Sequence, residues 1–382
     1  MNNSNLIFLH RIIYAFGNAM IKVYVPIIIY LQTNSMFLAL LFVTFFCLFA
    51  GFFANVLRRS IQKNNILYII LQIIPTIAIP ILIPFVPMTI LFVFIIALLS
   101  GLANALYFPA LNYLFAKLDF NNNAGKFEIG RDLGEIFFLL ISGFILGSSF
   151  SNSTLIVCSI AVFFYLISVI PLIFCFKYLK GFANENLVNV PLKITHRKLK
   201  PYDLIFASMG FMLILIQYFM PLYLYKINLN IESLAIVLAS ISLGKIILNY
   251  LVQKLIDKKK ILLCCIIASI MFVSSSIAIV LIQYGFIIYI LSIVLGLSCP
   301  LFHVSSLAMY CKDLESNGQV ADGIVLREMY ILYPVGVFSL LYLIVPSFLL
   351  MFFMGIISGI FFPIAVNKRL KFNEKLKKHN LK

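Results

Sequence analysis

The sequence predicts an all-α membrane protein of twelve transmembrane helices, built as two six-helix pseudo-repeats with both termini in the cytoplasm. Three observations carry this: apolar runs long enough to cross a bilayer, a one-sided placement of Lys and Arg, and internal matches at an offset of 195 residues.

The 382-residue chain is 63% hydrophobic and 11% charged, with a mean hydropathy of +1.08. A soluble domain is nearer one half apolar. Runs of about 18 to 25 apolar residues span a hydrocarbon core about 30 Å thick at about 1.5 Å of helical rise per residue. Such runs fall at 6–31, 36–57, 64–85, 88–116, 127–148, 153–178, 201–225, 232–256, 260–282, 285–311, 321–345 and 347–366. They lack the period-2 alternation of a membrane barrel, and lipid leaves no partner for an unpaired backbone amide, so each is expected to be a helix.

With the amino terminus inside, the cytoplasmic segments hold 23 of the 29 Lys and Arg residues, and the opposite loops hold only Lys226. This is the positive-inside pattern of a multi-pass protein of an inner or plasma membrane. The net charge of +16 is therefore mostly topological. It is spread over short segments rather than gathered on one face, which argues against nucleic acid as a partner. The seven cysteines form no CxxC pair, so no disulfide framework or zinc site is indicated. No cofactor is expected, and no GxxxxGK[ST] sequence occurs to hold a nucleotide.

The repeat is carried by a few pairs. Pro26 and Tyr30 recur as Pro221 and Tyr225; Gly101, Leu102 and Lys117 recur as Gly296, Leu297 and Lys312. Arg131 and Asp132 recur, shifted by 196, as Arg327 and Glu328. Residues 1–180 and 201–382 then form two bundles, the second with a basic cytoplasmic tail, joined by a cytoplasmic linker at 181–200. Six spans per unit means that both enter from the same side, as parallel repeats.

That organisation resembles the major facilitator superfamily over the whole chain. The family's loop after its second helix carries a pattern close to G-x-L-A-D-R-x-G-R-R. Here GFFANVLRR at 51–59 keeps Gly51, Ala54 and Arg59, with Asn55 in place of the acid and Arg58 in place of the second glycine. The antiporter signature is reduced to Gly143 and Gly147, so antiport is not implied. The resemblance implies that spans 1, 4, 7 and 10 surround a cavity, that 2, 5, 8 and 11 flank it, and that 3, 6, 9 and 12 face lipid. It also implies that span 5 packs on span 8, and span 11 on span 2. The interiors of spans 3, 6, 9 and 12 hold no ionisable side chain, as expected if charge avoids acyl chains.

The candidate site residues follow. Glu128, Arg131, Asp132 and Glu135 share one helical face at the start of span 5. Arg131, Asp132, Arg327 and Glu328 are expected to form a cytoplasmic gate, pairing across the two units when the inner side is closed. The alternative is that they neutralise one another within their own helices. Glu135, about 12 Å along the helix from Phe127, is the candidate proton carrier or else a static partner of Arg131. Lys22 and Lys245, with His303, suggest an anionic or zwitterionic solute, unless the lysines pair with acids in the bundle. Asn18, Asn104 and Gln217 complete the candidate solute-binding set, with Asn112 and Asn249 as further hydrogen-bonding residues. Pro26, Pro109, Pro221, Pro300 and Pro334 are expected to interrupt spans 1, 4, 7, 10 and 11.

The function so implied is secondary active transport of a small organic solute by proton-coupled alternating access, in a monomer surrounded by lipid. Alternatives are a drug or lipid exporter of a different twelve-helix fold, or a polytopic membrane enzyme.

Overall fold

A computed structural model of the chain describes residues 3–63, 65–117, 120–148, 152–179, 202–227, 229–257, 260–282, 285–316, 320–345 and 347–380. The linker at 181–200 lies outside them, as do the side chains of Glu128, Arg58, Arg59 and Lys117. Among the described residues every regular element is helical.

The first eight are α1 (Asn3–Ile21), α2 (Val25–Thr33), α3 (Met36–Lys63), α4 (Asn65–Leu71), α5 (Ile73–Leu82), α6 (Ile90–Lys117), α7 (Phe120–Gly147) and α8 (Ser153–Leu179). Then come α9 (Asp203–Ile214), a π-helical turn (Leu215–Phe219), α10 (Met220–Lys226), α11 (Ile231–Asp257), α12 (Ile261–Leu281), α13 (Ile287–Ser316), α14 (Val320–Ile344) and α15 (Phe348–Asn380).

Nine helical stretches among the described residues are long and apolar enough to cross a membrane; 66–82 and 287–303 are shorter apolar helices. The remaining helix, α7, carries Arg131, Asp132 and Glu135 near its middle. These charges dilute its apolar character.

Proline explains the broken helices in part. Pro26 has no N–H for the Lys22 carbonyl, so α1 ends at Ile21 and the chain turns through Lys22 to Tyr24 before α2. Pro221 likewise leaves the Gln217 carbonyl without its usual donor, and the helix widens into the π-turn, where Met220 N–H bonds Leu215 O. Pro75 does the same for Leu71, separating α4 from α5 at Gln72. The expected interruptions at Pro109, Pro300 and Pro334 are absent: each lies inside a continuous helix. One lost bond is tolerated where packed neighbours hold the helix straight.

The packing repeats. α1 lies against α7 and α8, α3 against α6, and α5 against α6 and α8. In the same way α9 lies against α14 and α15, α11 against α13, and α12 against α13 and α15. Between the two sets, α7 packs on α11 and α3 on α14, with α6 touching α14 and α2 touching α10. Two close crossings match as well. A side chain on Gly101 would strike Phe49 and the Ala50 backbone; one on Gly296 would strike the Ile241 carbonyl. Glycine at these positions lets the backbones approach closely.

Large apolar side chains are exposed along α8 (Phe163, Leu166, Ile170, Phe174), α12 (Ile266, Ile270, Leu281) and α15 (Leu349, Phe353, Ile364). α2, α9 and α10 are mostly buried. Apolar exposure on the first group is what acyl chains require.

Candidate functional site

A cavity of about 280 Å³ lies among α1, α6, α7, α9, the π-turn, α11, α13 and α14. Apart from Glu128, whose side chain lies outside the described residues, the candidate residues of the sequence reading line it: Asn18, Lys22, Asn104, Arg131, Asp132, Glu135, Gln217, Lys245, His303, Arg327 and Glu328. Arg11, Asn112 and Asn249 join them.

The helix breaks place two of these. Lys22 and Gln217 each stand four residues before a proline, at the distorted turn of α1–α2 and of α9–α10. A broken helix presents polar groups to a cavity where a regular one would bury them.

The charges form two clusters. Arg131 Nη2 donates to Asp132 Oδ1 at 2.6 Å, and the other Asp132 oxygen accepts from Asn249 Nδ2 at 3.0 Å. Glu135 stands between Arg131 Nε, 3.5 Å away, and Lys245 Nζ, 3.6 Å away. In the second cluster Arg327 Nη1 donates to Glu328 Oε1 at 3.1 Å, which also accepts from Asn112 Nδ2 at 3.1 Å. Arg327 Nη2 reaches His303 Nδ1 at 3.5 Å and its guanidinium lies 5.9 Å from the Phe206 ring centre.

The pairing expected across the units is therefore made by different donors. Both arginines bond the acid next to them in their own helix, while Lys245, Asn249 and Asn112 reach across to Glu135, Asp132 and Glu328. An acid that keeps its arginine within one rigid helix stays compensated whether or not the units separate. The bridging bonds alone depend on the contact between the two sets of helices.

Lys22 differs from Lys245. Among the described residues no carboxylate lies within 4 Å of its ammonium group. It sits 5.0 Å from the Phe108 ring centre and 5.8 Å from that of Phe46, a cation–π arrangement that offsets part of the cost of burying charge.

Behind it lies a polar network that sequence reasoning missed. Tyr14 donates to Gln72 Oε1 at 3.2 Å, Thr76 donates to the same oxygen at 2.7 Å, and Tyr165 donates to Asn18 Oδ1 at 3.0 Å. His10, fully buried, bonds the Ser168 carbonyl through Nδ1 at 2.7 Å, which makes that nitrogen the donor. Gln72 and Thr76 stand at i, i+4 on one face of a span expected to meet lipid. That spacing was the available signal.

These features define a multi-pass helical membrane protein with a central polar cavity. No protein-family profile matches the chain, and no curated protein matches its sequence. Its fold is shared with a bacterial homologue of the iron transporter ferroportin, crystallised in an outward-facing state. The form with soaked iron gives a TM-score of 0.68 at 11% identity, covering 96% of this chain and 99% of that one. The second crystal structure gives 0.62 at 12% identity over the same shares. The major facilitator resemblance is thereby supported at the level of the fold.

Proposed function

We propose that this chain is a secondary transporter that moves a small organic anion across an inner or plasma membrane by alternating access. It would consist of two six-helix units, 1–180 and 201–382, rocking about the central cavity as a monomer in lipid. The single observation that carries the substrate class is Lys22: a half-buried ammonium in the cavity wall with no carboxylate in ion-pair range among the described residues. An anionic solute supplies the missing charge.

The charge balance of the wall agrees. Arg11, Lys22, Arg131, Lys245 and Arg327 face Asp132, Glu135 and Glu328. A metal cation, such as the iron soaked into the structural neighbour, would meet net positive charge here. No group of three His, Cys, Asp or Glu side chains among the described residues could hold one.

Glu135 is the proposed proton carrier. Its protonation would release Lys245 and loosen α7 from α11, so that proton binding and opening of the charged end are coupled. Arg131, Asp132, Arg327 and Glu328 act as the gate on that end through Asn249 and Asn112. Alternating access draws support from the opposite end, where α2 meets α10 and the rings of Tyr30 and Tyr225 touch. In this reading the contact holds the outer side shut, the counterpart of the outward-facing state of the two neighbours.

The test is reconstitution of the purified chain in liposomes with an imposed pH gradient, measuring accumulation of radiolabelled organic acids and of iron(II). Uptake of an acid that depends on Lys22 is the expected result. Uptake of iron alone, with every acid excluded, would overturn the reading.

A further inference from the structure

A second, smaller cavity of about 50 Å³ opens beside Lys22, away from the charged end. It is framed by Tyr14, Asn18, Lys22, Thr76, Ser100 and Asn104, with Phe46 against the ammonium. Lys22, Asn18, Asn104 and Tyr14 also line the large cavity, as do Phe108 and Tyr218, so the two spaces meet at this ring of residues.

The polar groups around it are unequally satisfied. The Tyr14 and Thr76 hydroxyls are committed to Gln72, and the Tyr165 hydroxyl to Asn18 Oδ1. Asn104 Oδ1, by contrast, is buried with no hydrogen-bond partner. A buried amide end without a partner is uncommon and costly in a folded protein. A half-turn of this amide puts its NH2 at the same spot, since the two ends have nearly the same shape. Lys22 Nζ, the Asn104 and Asn18 amides and the Ser100 hydroxyl then offer donors around one small space.

Size and charge narrow what fits. About 50 Å³ accommodates a carboxylate and excludes a ring. The large cavity, lined by Phe108, Tyr107 and Tyr218, has room for the remainder of such a molecule, and aromatic faces favour an apolar body. Farther along, Arg131, Lys245 and Arg327 each already have a carboxylate within 4 Å, so a second acidic group finds less to bind there.

We propose that the side pocket at Lys22 is the acid-group subsite for an amphipathic monocarboxylate whose apolar body lies in the central cavity. This rests on the organic-anion reading above and narrows it to one acidic group at one end of the cavity.

The test uses the purified full-length chain in detergent, with 3-phenylpropionate and 4-phenylbutyrate as probes and their primary amides as neutral counterparts. Binding is followed by calorimetry. The acids are expected to bind at least 10-fold more tightly than the amides. Ser100→Leu, which fills the pocket, and Asn104→Leu, which keeps the side-chain shape, should each remove that preference. The rate at which a polar thiol reagent labels Cys299, in the wall of the large cavity, should stay unchanged in both variants. If Ser100→Leu does not fold, Asn104→Leu decides alone. Acid preference retained in the folded variants but lost in Lys22→Ala would overturn the subsite and leave the anion reading standing. Equal binding of acids and amides to the unaltered protein would overturn both, and no binding of either would overturn the subsite.

Discussion

Tyr30 and Tyr225, separated by 195 positions in the chain, meet edge to face with ring centres 5.9 Å apart. Two residues related by an internal repeat touch one another when they lie close to the axis relating the two units. The same shift carries Lys22 to Gln217 at the two helix breaks, and Gly101 to Gly296 at two close helix crossings. If the units rock, this contact must open.

Tyr30→Cys with Tyr225→Cys, in a background lacking the native cysteines, is therefore expected to cross-link with a short bifunctional thiol reagent and to stop transport. Peptide mass spectrometry identifies the linked pair, and reduction of a cleavable reagent should restore uptake. Transport at full rate in the linked protein would exclude opening at this end.

Lys22→Ala is expected to weaken binding of an organic acid by about 30-fold or more. Removing one partner of a buried charge pair costs about 2 kcal/mol at least, and about 1.4 kcal/mol is tenfold in affinity. Lys245→Ala should have a smaller effect on affinity, because Glu135 already occupies that ammonium. Calorimetric titration with the acid measures both. Equal losses would mean that the two lysines share the ligand.

Glu135→Gln removes the carboxylate that stands between Arg131 and Lys245 while keeping its shape. Exchange of labelled for unlabelled solute across the membrane should persist, and accumulation driven by a pH gradient should disappear. Both are read in the same proteoliposomes. Gradient-driven accumulation at the unaltered level would assign proton coupling to another group.

The all-helical membrane character was legible in the sequence, and the residues it singled out within apolar runs line one cavity, because both are written in single residues. Lipid demands apolar runs, and Lys22, Glu135 and Lys245 inside such runs are costly unless they face a cavity. Partner choice is a property of pairs, and single residues left it between two readings: Arg131 and Arg327 take the acid beside them, the alternative reading, and Asn249 and Asn112 make the bonds between units. Proline shows where a hydrogen bond is lost but not whether neighbours hold the helix. That is why Pro26, Pro75 and Pro221 mark breaks whereas Pro109, Pro300 and Pro334 do not. His10 and Tyr165 escaped because a lone polar residue in an apolar run does not announce the backbone carbonyl or amide it will meet.

Asp132→Ala should lower stability more than the loss of a surface charge would. Asp132 is fully buried and accepts from both Arg131 and Asn249. Its removal strips an arginine of its nearest carboxylate inside the protein, and breaking a buried pair costs about 3 to 5 kcal/mol. Asp132→Asn retains a carbonyl for Asn249 but loses the charge, so its cost should fall between that of Ala and zero. Thermal unfolding in detergent orders the three proteins. An Ala variant as stable as the unaltered chain would mean that Glu135, 3.5 Å from Arg131, compensates the arginine by itself.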